Sequence, residues 1–265
     1  MIEYKQGLGY CMAMNPADPS IAKGPSGGPK QAVLAHLAGM AHAVAHPHRL
    51  ELLERLAQAP RSVEELAGLC ELSFANTSRH LQILRRARLV VAERQGKHVL
   101  YSLDNARQVV ALLQALGTLA ERNRAEVRQI MHDYYTDRGQ LAPVTQQELL
   151  ARLRSGSVTL LDVRPAHEYA SGHLPGAVNI PLRALGDELS GLPRDQQIVA
   201  YCRGPYCVLA VEAVALLRAR GFKAQRLAIG YPEWQLAGLA VDTGVATGRG
   251  RPTAPDGSQA TPSRS

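Results

Sequence analysis

Leucines recur at helical spacing around residue 50. In HPHRLELLERLAQA, Leu50, Leu53 and Leu56 are three residues apart, and Leu52 completes the apolar stripe. This spacing predicts an amphipathic helix, and Pro60 is the residue that ends it.

Two more helices are predicted by the residues that begin them. Ser62 precedes VEELAGLCEL, and Glu65 three residues later completes a capping box. Ser73 precedes FANTSRHLQILRRARL in the same way. We therefore expect a helix-turn-helix after the first helix.

A hairpin and a long helix are predicted next. The segment VVAERQGKHVLYSLDN has two β-rich runs around Gln95-Gly96, and residues from about Ala106 to Tyr135 are helical in pattern. The order helix, helix-turn-helix, hairpin and long helix is that of a winged-helix domain.

Short apolar runs alternate with helical segments after about Val158. Such alternation is typical of an α/β domain with a central, mostly parallel sheet. Four runs are candidate strands, namely SVTLLDV, GAVNIPL, QQIVAYC and KAQRLAIG.

Composition divides the 265-residue chain into four segments. Residues 1–30 and 243–265 are rich in small residues and proline without hydrophobic periodicity, which predicts two disordered tails. Residues 31–137 are the predicted winged-helix domain, and residues 138–242 are the predicted α/β domain. We see no internal repeat in the sequence.

Charge, hydropathy and cysteine content narrow the class of protein. The formal net charge of +7 favours an acidic partner such as nucleic acid. No apolar run approaches the roughly 20 residues that cross a bilayer, and the first residues lack a leader pattern. We therefore expect a cytoplasmic protein with no membrane partner. Four cysteines in so long a chain do not make a disulfide scaffold, so a cysteine with a function is expected to be reactive.

The third predicted helix presents a polar and basic face. Leu81 and Leu84 fall on its inner side, whereas Arg79 and Gln82 fall elsewhere and can hydrogen bond base edges. At the hairpin tip, Arg94 and Lys97 suit phosphates. A plain solvated basic face is the alternative, and the winged-helix order of elements favours DNA.

The motifs AHPHRLELLERL, TSRHLQILRRARLV and RQGKHVLYSL resemble the ArsR/SmtB family of winged-helix repressors. The resemblance covers residues 40–105. It implies a homodimer that binds an imperfect inverted repeat in double-stranded DNA and leaves it when an inducer acts. The DNA contacts that it implies are Ala75, Asn76, Ser78, Arg79 and Gln82.

A soft-metal site of this family is not expected here. Ser62 and Glu64 stand where arsenic-sensing members carry two cysteines, and Cys70 lies in an apolar helix turn as a small core residue. The histidines beside Pro47 and in the last helix lack carboxylates at suitable spacing. We predict no metal and no cofactor.

Cys202 follows a predicted strand and precedes the loop RGPY and a helix. Reactive groups of an open α/β sheet collect at the carboxyl ends of its strands. Successive N–H groups and the helix N-terminus stabilise an anion there, and with Arg203 they are expected to lower the pKa of the Cys202 thiol. Gly204 lets the backbone approach closely, Pro205 stiffens the turn, and Tyr206 completes this anion-binding loop.

The blocks LLDVRPAHEYASGHLPGAVNIPL, VAYCRGPYC and GYPEWQLAGLAV resemble a rhodanese domain over residues 142–242. The resemblance implies that Cys202 accepts a sulfane sulfur and becomes a persulfide, cradled by peptide N–H groups from Arg203 to Cys207. Asp162 and Arg164 match the first block, where they are expected to brace the loop. Trp234 is expected in the core.

Cys207 stands where many sulfurtransferases of this family carry an arginine. It either faces the cradle as a second, resolving thiol, or points into the core. Val208 argues against phosphatase chemistry, because no arginine closes the loop.

Three functions remain open from the sequence. The leading one is a repressor that senses persulfide, polysulfide or thiosulfate through Cys202, with the change passing through a linker at residues 136–142. The second is a rhodanese-type sulfurtransferase with an uncoupled, autoregulatory DNA-binding domain. The third is a redox sensor that forms a Cys202–Cys207 disulfide.

Overall fold

The computed structural model describes residues 28–136 and 142–244. The chain divides into two compact units after Ala45. In the first, helix α1 (Pro29–Val44) begins with a proline in its first turn, where no backbone donor is needed. Four large apolar side chains of α1 are exposed, namely Val33, Leu34, Leu37 and Met40.

The second unit begins with a winged-helix half. Its three-stranded sheet is antiparallel and has the order β1-β3-β2. Its elements in chain order are α2 (Pro47–Leu56), β1 (Arg61–Ser62), α3 (Val63–Leu69), α4 (Phe74–Arg86), β2 (Val90–Gln95), β3 (His98–Leu103), α5 (Ala106–Asn123) and α6 (Ala125–Thr136).

The predicted helix starts are confirmed. The Ser62 side chain accepts a hydrogen bond from Glu65 N at 3.2 Å, and Glu65 Oε2 accepts from Ser62 N at 2.8 Å. Ser73 Oγ accepts from Asn76 N at 3.3 Å. Each cap satisfies a backbone donor that the first turn of a helix leaves without an intrahelical partner, so the two helices of the helix-turn-helix begin at defined residues.

The prediction of one continuous helix from Ala106 to Tyr135 is wrong, because the structure has two helices there. Helix α5 ends at Asn123, and Arg124 has extended dihedral angles, φ −118° and ψ 110°. Arg128 Nη1 donates hydrogen bonds to the carbonyl oxygens of Glu121 and Arg122, both at 2.8 Å. These contacts satisfy carbonyl groups at the end of α5, which allows the break without a proline or glycine.

The rest of the second unit is an α/β half. Its four-stranded parallel sheet has the order β5-β4-β6-β7, as expected for this fold class. Its elements are α7 (Gln146–Arg154), β4 (Val158–Asp162), α8 (Ala166–Ser171), β5 (Val178–Asn179), β6 (Gln197–Tyr201), α9 (Leu209–Ala219), β7 (Ala224–Arg226) and α10 (Tyr231–Leu236).

Both faces of this sheet are buried. In β4, Leu161 packs in one core cluster and Leu160 in the other, and in β6 Ile198 and Val199 alternate in the same way. Trp234 is buried in the second cluster, as predicted, and its Nε1 donates to the carbonyl oxygen of Ala240 at 2.8 Å. Because β6 is a central strand that ends at Tyr201, the next residue, Cys202, lies at the carboxyl edge of the sheet.

Among the residues described, no helix has both the length and the apolar character needed to cross a membrane. The predicted tails lie largely outside those residues, and so do residues 137–141 of the predicted linker. The boundary between the domains at residues 137–138 stays a prediction.

Candidate functional site

Helix α4 carries most of the predicted DNA contacts on its exposed side. Ala75, Asn76, Arg79 and Gln82 are exposed, and Ser78 is half-buried. The opposite side packs into the winged-helix core through Thr77, Leu81 and Leu84. A helix with one buried face and one polar, cationic face has the form that enters a major groove.

The tip of the β2–β3 hairpin is also exposed. Gly96 and Lys97 form its two-residue turn, and Gly96 has a φ of +61°, a conformation that favours glycine. Arg94 and Lys97 are exposed there, and Arg94 Nε donates to the carbonyl oxygen of Gly96 at 3.2 Å. Phe74, at the start of α4, was not among the DNA contacts expected from the sequence, and its large apolar side chain is 54% exposed.

The histidines near Pro47 have structural partners. His46 caps α2 by accepting a hydrogen bond at Nδ1 from His48 N at 3.2 Å, and its ring lies 4.5 Å from that of His80. Burial lowers the pKa of His46 and of His80. Within the described residues, no group of His, Cys, Asp and Glu is arranged to hold a metal ion. Cys70 is buried in the core, and burial raises its pKa to about 11.

The Cys202 thiol lies beside Cys207. Cys202 is only 4% exposed, and its Sγ donates to the carbonyl oxygen of Cys207 at 3.4 Å and, more weakly, to that of Gly204 at 3.9 Å. Cys207 also packs against the core cluster that contains Cys202. The two thiols are near enough to affect each other's pKa, and the role of Cys207 as a second, resolving thiol stays a prediction.

The pKa of the Cys202 thiol was expected to be lowered, and in the structure it is raised. Burial raises the pKa of Cys202, and the hydrogen bond to Cys207 and the charge of that thiolate raise it further. The pKa of Cys207 is lowered to about 7, chiefly by the hydrogen bond from Cys202 and also by those from the backbone of Arg203 and Leu209. Cys207 is thus the more acidic thiol of an interacting pair.

The backbone around the pair donates hydrogen bonds to sulfur. Helix α9 begins at Leu209, and backbone hydrogen bonds from Gly204 and Ala210 favour a charged Cys202. A helix N-terminus and converging N–H groups stabilise an anion, be it a thiolate or a persulfide.

The Arg203 side chain points to Glu168 rather than into the cradle. Its Nε and Nη2 lie 2.8–3.1 Å from the Glu168 carboxylate oxygens, and both side chains are buried. The cradle is therefore built from backbone groups. The expected net lowering of the Cys202 pKa was wrong, because burial outweighs the charge of Arg203 nearby.

Asp162 and Arg164 form a fully buried ion pair. Arg164 Nη2 lies 2.6 Å from Asp162 Oδ2, and the same nitrogen donates to the carbonyl oxygen of Gly172 at 2.7 Å. The guanidinium carbon stands 4.6 Å from the centre of the Tyr231 ring. These contacts fix the carboxyl end of β4 beside the loop, a bracing arrangement.

Gly230 is a site residue that sequence reasoning missed. A Cβ atom at this position would overlap the peptide between Arg203 and Gly204, so only glycine lets the two backbones approach so closely. The next residue, Tyr231, donates its N–H to the Cys202 carbonyl oxygen at 3.2 Å. The motif GYPEW was the only sequence feature that could have indicated this contact.

The winged-helix half contacts the α/β half at the loop and beside it, and the sequence indicated none of these contacts. Gln58 Nε2 donates to the Arg203 carbonyl oxygen at 3.2 Å. Arg61 Nη2 lies 2.6 Å from Glu168 Oε1, the carboxylate that also holds Arg203. The Tyr206 hydroxyl donates to Glu121 Oε1 at 2.8 Å.

Fold and site together define a class of protein, namely a winged-helix DNA-binding protein with a rhodanese-like domain. Residues 145–237 match the family of rhodanese-like domains, and residues 44–92 match a helix-turn-helix domain family.

Known proteins match most of the chain or one of its two halves. The chain is 40% identical over 221 residues to the HTH-type transcriptional regulator Rv0324 of Mycobacterium tuberculosis. The aligned region covers 83% of this chain and 96% of that protein. It is 32% identical over 106 residues to the human thiosulfate:glutathione sulfurtransferase. This aligned region covers 34% of this chain and 90% of that enzyme. The solved homodimeric winged helix-turn-helix domain of Mb0332 from Mycobacterium bovis is 29% identical with a TM-score of 0.35, covering 38% of this chain and 92% of that one. The chain belongs to the HTH-type transcriptional regulators in which an ArsR-type winged helix is joined to a rhodanese-like domain.

Proposed function

We propose that this regulator is a repressor that releases DNA when reactive sulfur modifies Cys202. The observation that carries the proposal is the hydrogen bond from the Cys202 thiol to the backbone of Cys207, inside a loop that also touches the winged-helix half. The sulfur donors in question are persulfides, polysulfides and thiosulfate.

The first chemical step is the transfer of a sulfane sulfur. Cys207, as the thiolate of the pair, accepts the proton of the Cys202 thiol that is hydrogen bonded to it. The Cys202 thiolate attacks the terminal sulfur of a persulfide RS–SH, and the RS–SH bond breaks as the new S–S bond forms. The RS⁻ leaving group takes up the proton that Cys207 accepted, so the products are RSH, the Cys202 persulfide and the Cys207 thiolate.

The second step closes a disulfide. The Cys207 thiolate attacks Cys202 Sγ, and the terminal sulfur leaves as HS⁻. In sum, two thiols are oxidised to one disulfide, and the sulfane sulfur is reduced to sulfide. A cellular thiol that reduces the disulfide would return the protein to its starting state.

Two features favour a sensor over an enzyme that turns over. Cys207 replaces the arginine that many sulfurtransferases carry, and the Arg203 guanidinium is bound to Glu168, so no side chain of the loop offers a cation to thiosulfate. A resolving thiol also ends the cycle at a disulfide until a reductant acts. One modification event is sufficient for a sensor.

The DNA-bound form is proposed to be a homodimer on an imperfect inverted repeat. Helix α5 exposes Leu112, Leu116 and Leu119, which are four and three residues apart and lie on one face. A two-fold dimer would present two copies of α4 to successive half-sites about one helical turn apart. Its target is chromosomal DNA, so we expect it to act in the cytoplasm.

Binding to a DNA duplex selected by the protein from a random pool tests the function. Wild type, Cys202→Ser and the core control Cys70→Ala are titrated by fluorescence anisotropy before and after treatment with glutathione persulfide. We expect the Kd of wild type and Cys70→Ala to rise at least about 5-fold, and that of Cys202→Ser to stay constant. Equal release by Cys202→Ser contradicts the proposal.

The sulfurtransferase alternative has one specific observation in its favour, the similarity of the rhodanese-like half to a thiosulfate:glutathione sulfurtransferase. Sustained product formation from thiosulfate or a persulfide, with DNA affinity unaffected, is the result that it requires. A general redox sensor would instead respond to peroxide, with no added sulfur mass at any stage.

A further inference from the structure

The loop that holds the two cysteines is contacted at both ends by the winged-helix half. Arg203 directly follows Cys202, and Tyr206 directly precedes Cys207. Gln58, two residues after the end of α2, binds the first of these, and Glu121 of α5 binds the second.

The Gln58 contact is buried and specific for an amide. Gln58 is 3% exposed; its Nε2 donates to the Arg203 carbonyl oxygen, and its Oε1 accepts from Arg164 Nη1, each at 3.2 Å. One side chain of the winged-helix half thus links the cysteine loop to the braced end of β4. A carboxylate or an apolar side chain could not make both hydrogen bonds.

The Tyr206 contact is shaped by a glycine of α5. A Cβ atom at Gly117 would overlap the Tyr206 hydroxyl, so the ring occupies space that the absence of a side chain leaves open. Its hydroxyl then reaches Glu121, one helical turn further along α5. The same helix carries the exposed apolar face of Leu112, Leu116 and Leu119.

Disulfide formation changes the geometry of the loop that makes these contacts. A disulfide fixes its two sulfurs at about 2.05 Å and restricts the torsion angle between them, so the short loop between the cysteines must adjust. A cavity of about 760 Å³ lies beside it, lined by α2, α5 and residues 203–206. Tyr206, Gly117 and Glu121 all line this cavity, so the Tyr206 side chain has space to move when the loop adjusts.

We propose that the state of the cysteine pair reaches the DNA-binding half through direct contact of the loop with Gln58, which follows α2, and with Glu121 of α5. This inference rests on the proposed function and replaces the expected route through residues 136–142. In the reduced state the loop supports α2 and α5 in the arrangement that binds DNA, and α2 packs against the recognition helix α4. Oxidation withdraws Tyr206 and releases that support.

Glu121→Ala tests this route, with Glu121→Gln as the conservative variant that keeps a hydrogen-bond acceptor. Exposed Glu126→Ala is the control for loss of an acidic side chain beyond α5. For each protein we measure disulfide formation after glutathione persulfide by mass spectrometry, and the Kd for the selected duplex before and after treatment.

The expected results separate the reaction of the cysteines from its effect on DNA binding. Disulfide formation is the same in all proteins. The Kd of wild type and Glu126→Ala rises at least about 5-fold on oxidation, whereas the rise for Glu121→Ala falls below about 2-fold, and Glu121→Gln recovers part of it. Gln58→Leu is the second variant, and it is also expected to reduce the ratio of the two Kd values.

Full release by both Glu121→Ala and Gln58→Leu overturns the proposed route and leaves the proposed function intact. If oxidised wild type itself keeps its DNA affinity, the proposed function fails instead. Circular dichroism of each variant identifies a protein that does not fold, and the other variant then decides the question.

Discussion

Arg61 of the winged-helix half forms a buried ion pair with Glu168 of the rhodanese-like half, with Nη2 and Oε1 2.6 Å apart. Glu168 also holds Arg203, so one carboxylate serves two guanidinium groups. Removing one partner of a buried pair typically costs about 3–5 kcal/mol. We expect Glu168→Gln to destabilise the protein by about this amount, and Arg61→Met by less, because Glu168 keeps Arg203.

Urea unfolding followed by circular dichroism measures both changes. Glu51→Gln is the matched control, since Glu51 pairs with Arg55 in a partly exposed position and its loss should cost less than about 1 kcal/mol. A cost for Glu168→Gln no greater than that for Glu51→Gln would show that the pair contributes nothing to holding the two halves together.

Gly230→Ala should damage the cysteine loop from the outside. The added methyl group would overlap the Arg203–Gly204 peptide, and a small displacement of reacting groups can cost about 10-fold or more in rate. We expect persulfide incorporation at Cys202, followed by mass spectrometry, to slow by that factor while the overall fold persists. Gly186→Ala is the control, because a Cβ there meets nothing within 4 Å. Equal rates in the two variants would mean that the close approach is not needed.

The two thiols should titrate differently. The pKa of Cys207 is about 7, whereas burial raises that of Cys202. The thiolate fraction of Cys207 falls about tenfold per pH unit below 7, so its alkylation by iodoacetamide should rise steeply from pH 5 to 7 and level off above pH 8. Cys202 should react more slowly throughout, and Cys70, with a pKa of about 11, should serve as the unreactive internal reference. Peptide mapping separates the sites, and earlier alkylation of Cys202 would reverse the assignment.

The DNA surface makes a separable prediction. Arg79 is exposed on α4 and should read base edges, so Arg79→Ala is expected to cost about 1–3 kcal/mol on the selected duplex and to relax its sequence preference. Lys97 of the hairpin should contact phosphate, so Lys97→Ala should weaken all sequences alike and reduce the salt slope by about one. Exposed Arg154→Ala, in the rhodanese-like half, should leave both quantities unchanged. The opposite assignment of the two effects would contradict the proposed docking of α4.

Local chemistry explains why much of the fold could be predicted from the sequence. The caps at Ser62 and Ser73 depend on residues three positions away, and the parallel strands follow from short apolar runs. The two-residue strand β1 carries no periodicity, and the break at Arg124 depends on Arg128, which nothing in the local pattern indicated.

Some features of the candidate site could likewise be predicted from the sequence, and others could not. Cys202 and its loop could be found because the motif is contiguous, whereas the contact between Gln58 and Arg203 spans 145 positions. The acidities were misjudged because burial of Cys202 and the turn of Arg203 toward Glu168 are properties of the folded protein. A side chain's partner in another half of the chain is set by tertiary packing rather than by neighbouring residues.

The most direct test measures disulfide and DNA binding in the same samples. Wild-type protein bound to its selected duplex is titrated with glutathione persulfide, and each sample is divided between mass spectrometry of the Cys202–Cys207 peptide and fluorescence anisotropy. We expect bound DNA to fall in proportion to the disulfide formed, and dithiothreitol to reverse both changes. Complete disulfide formation with the DNA still bound would contradict it.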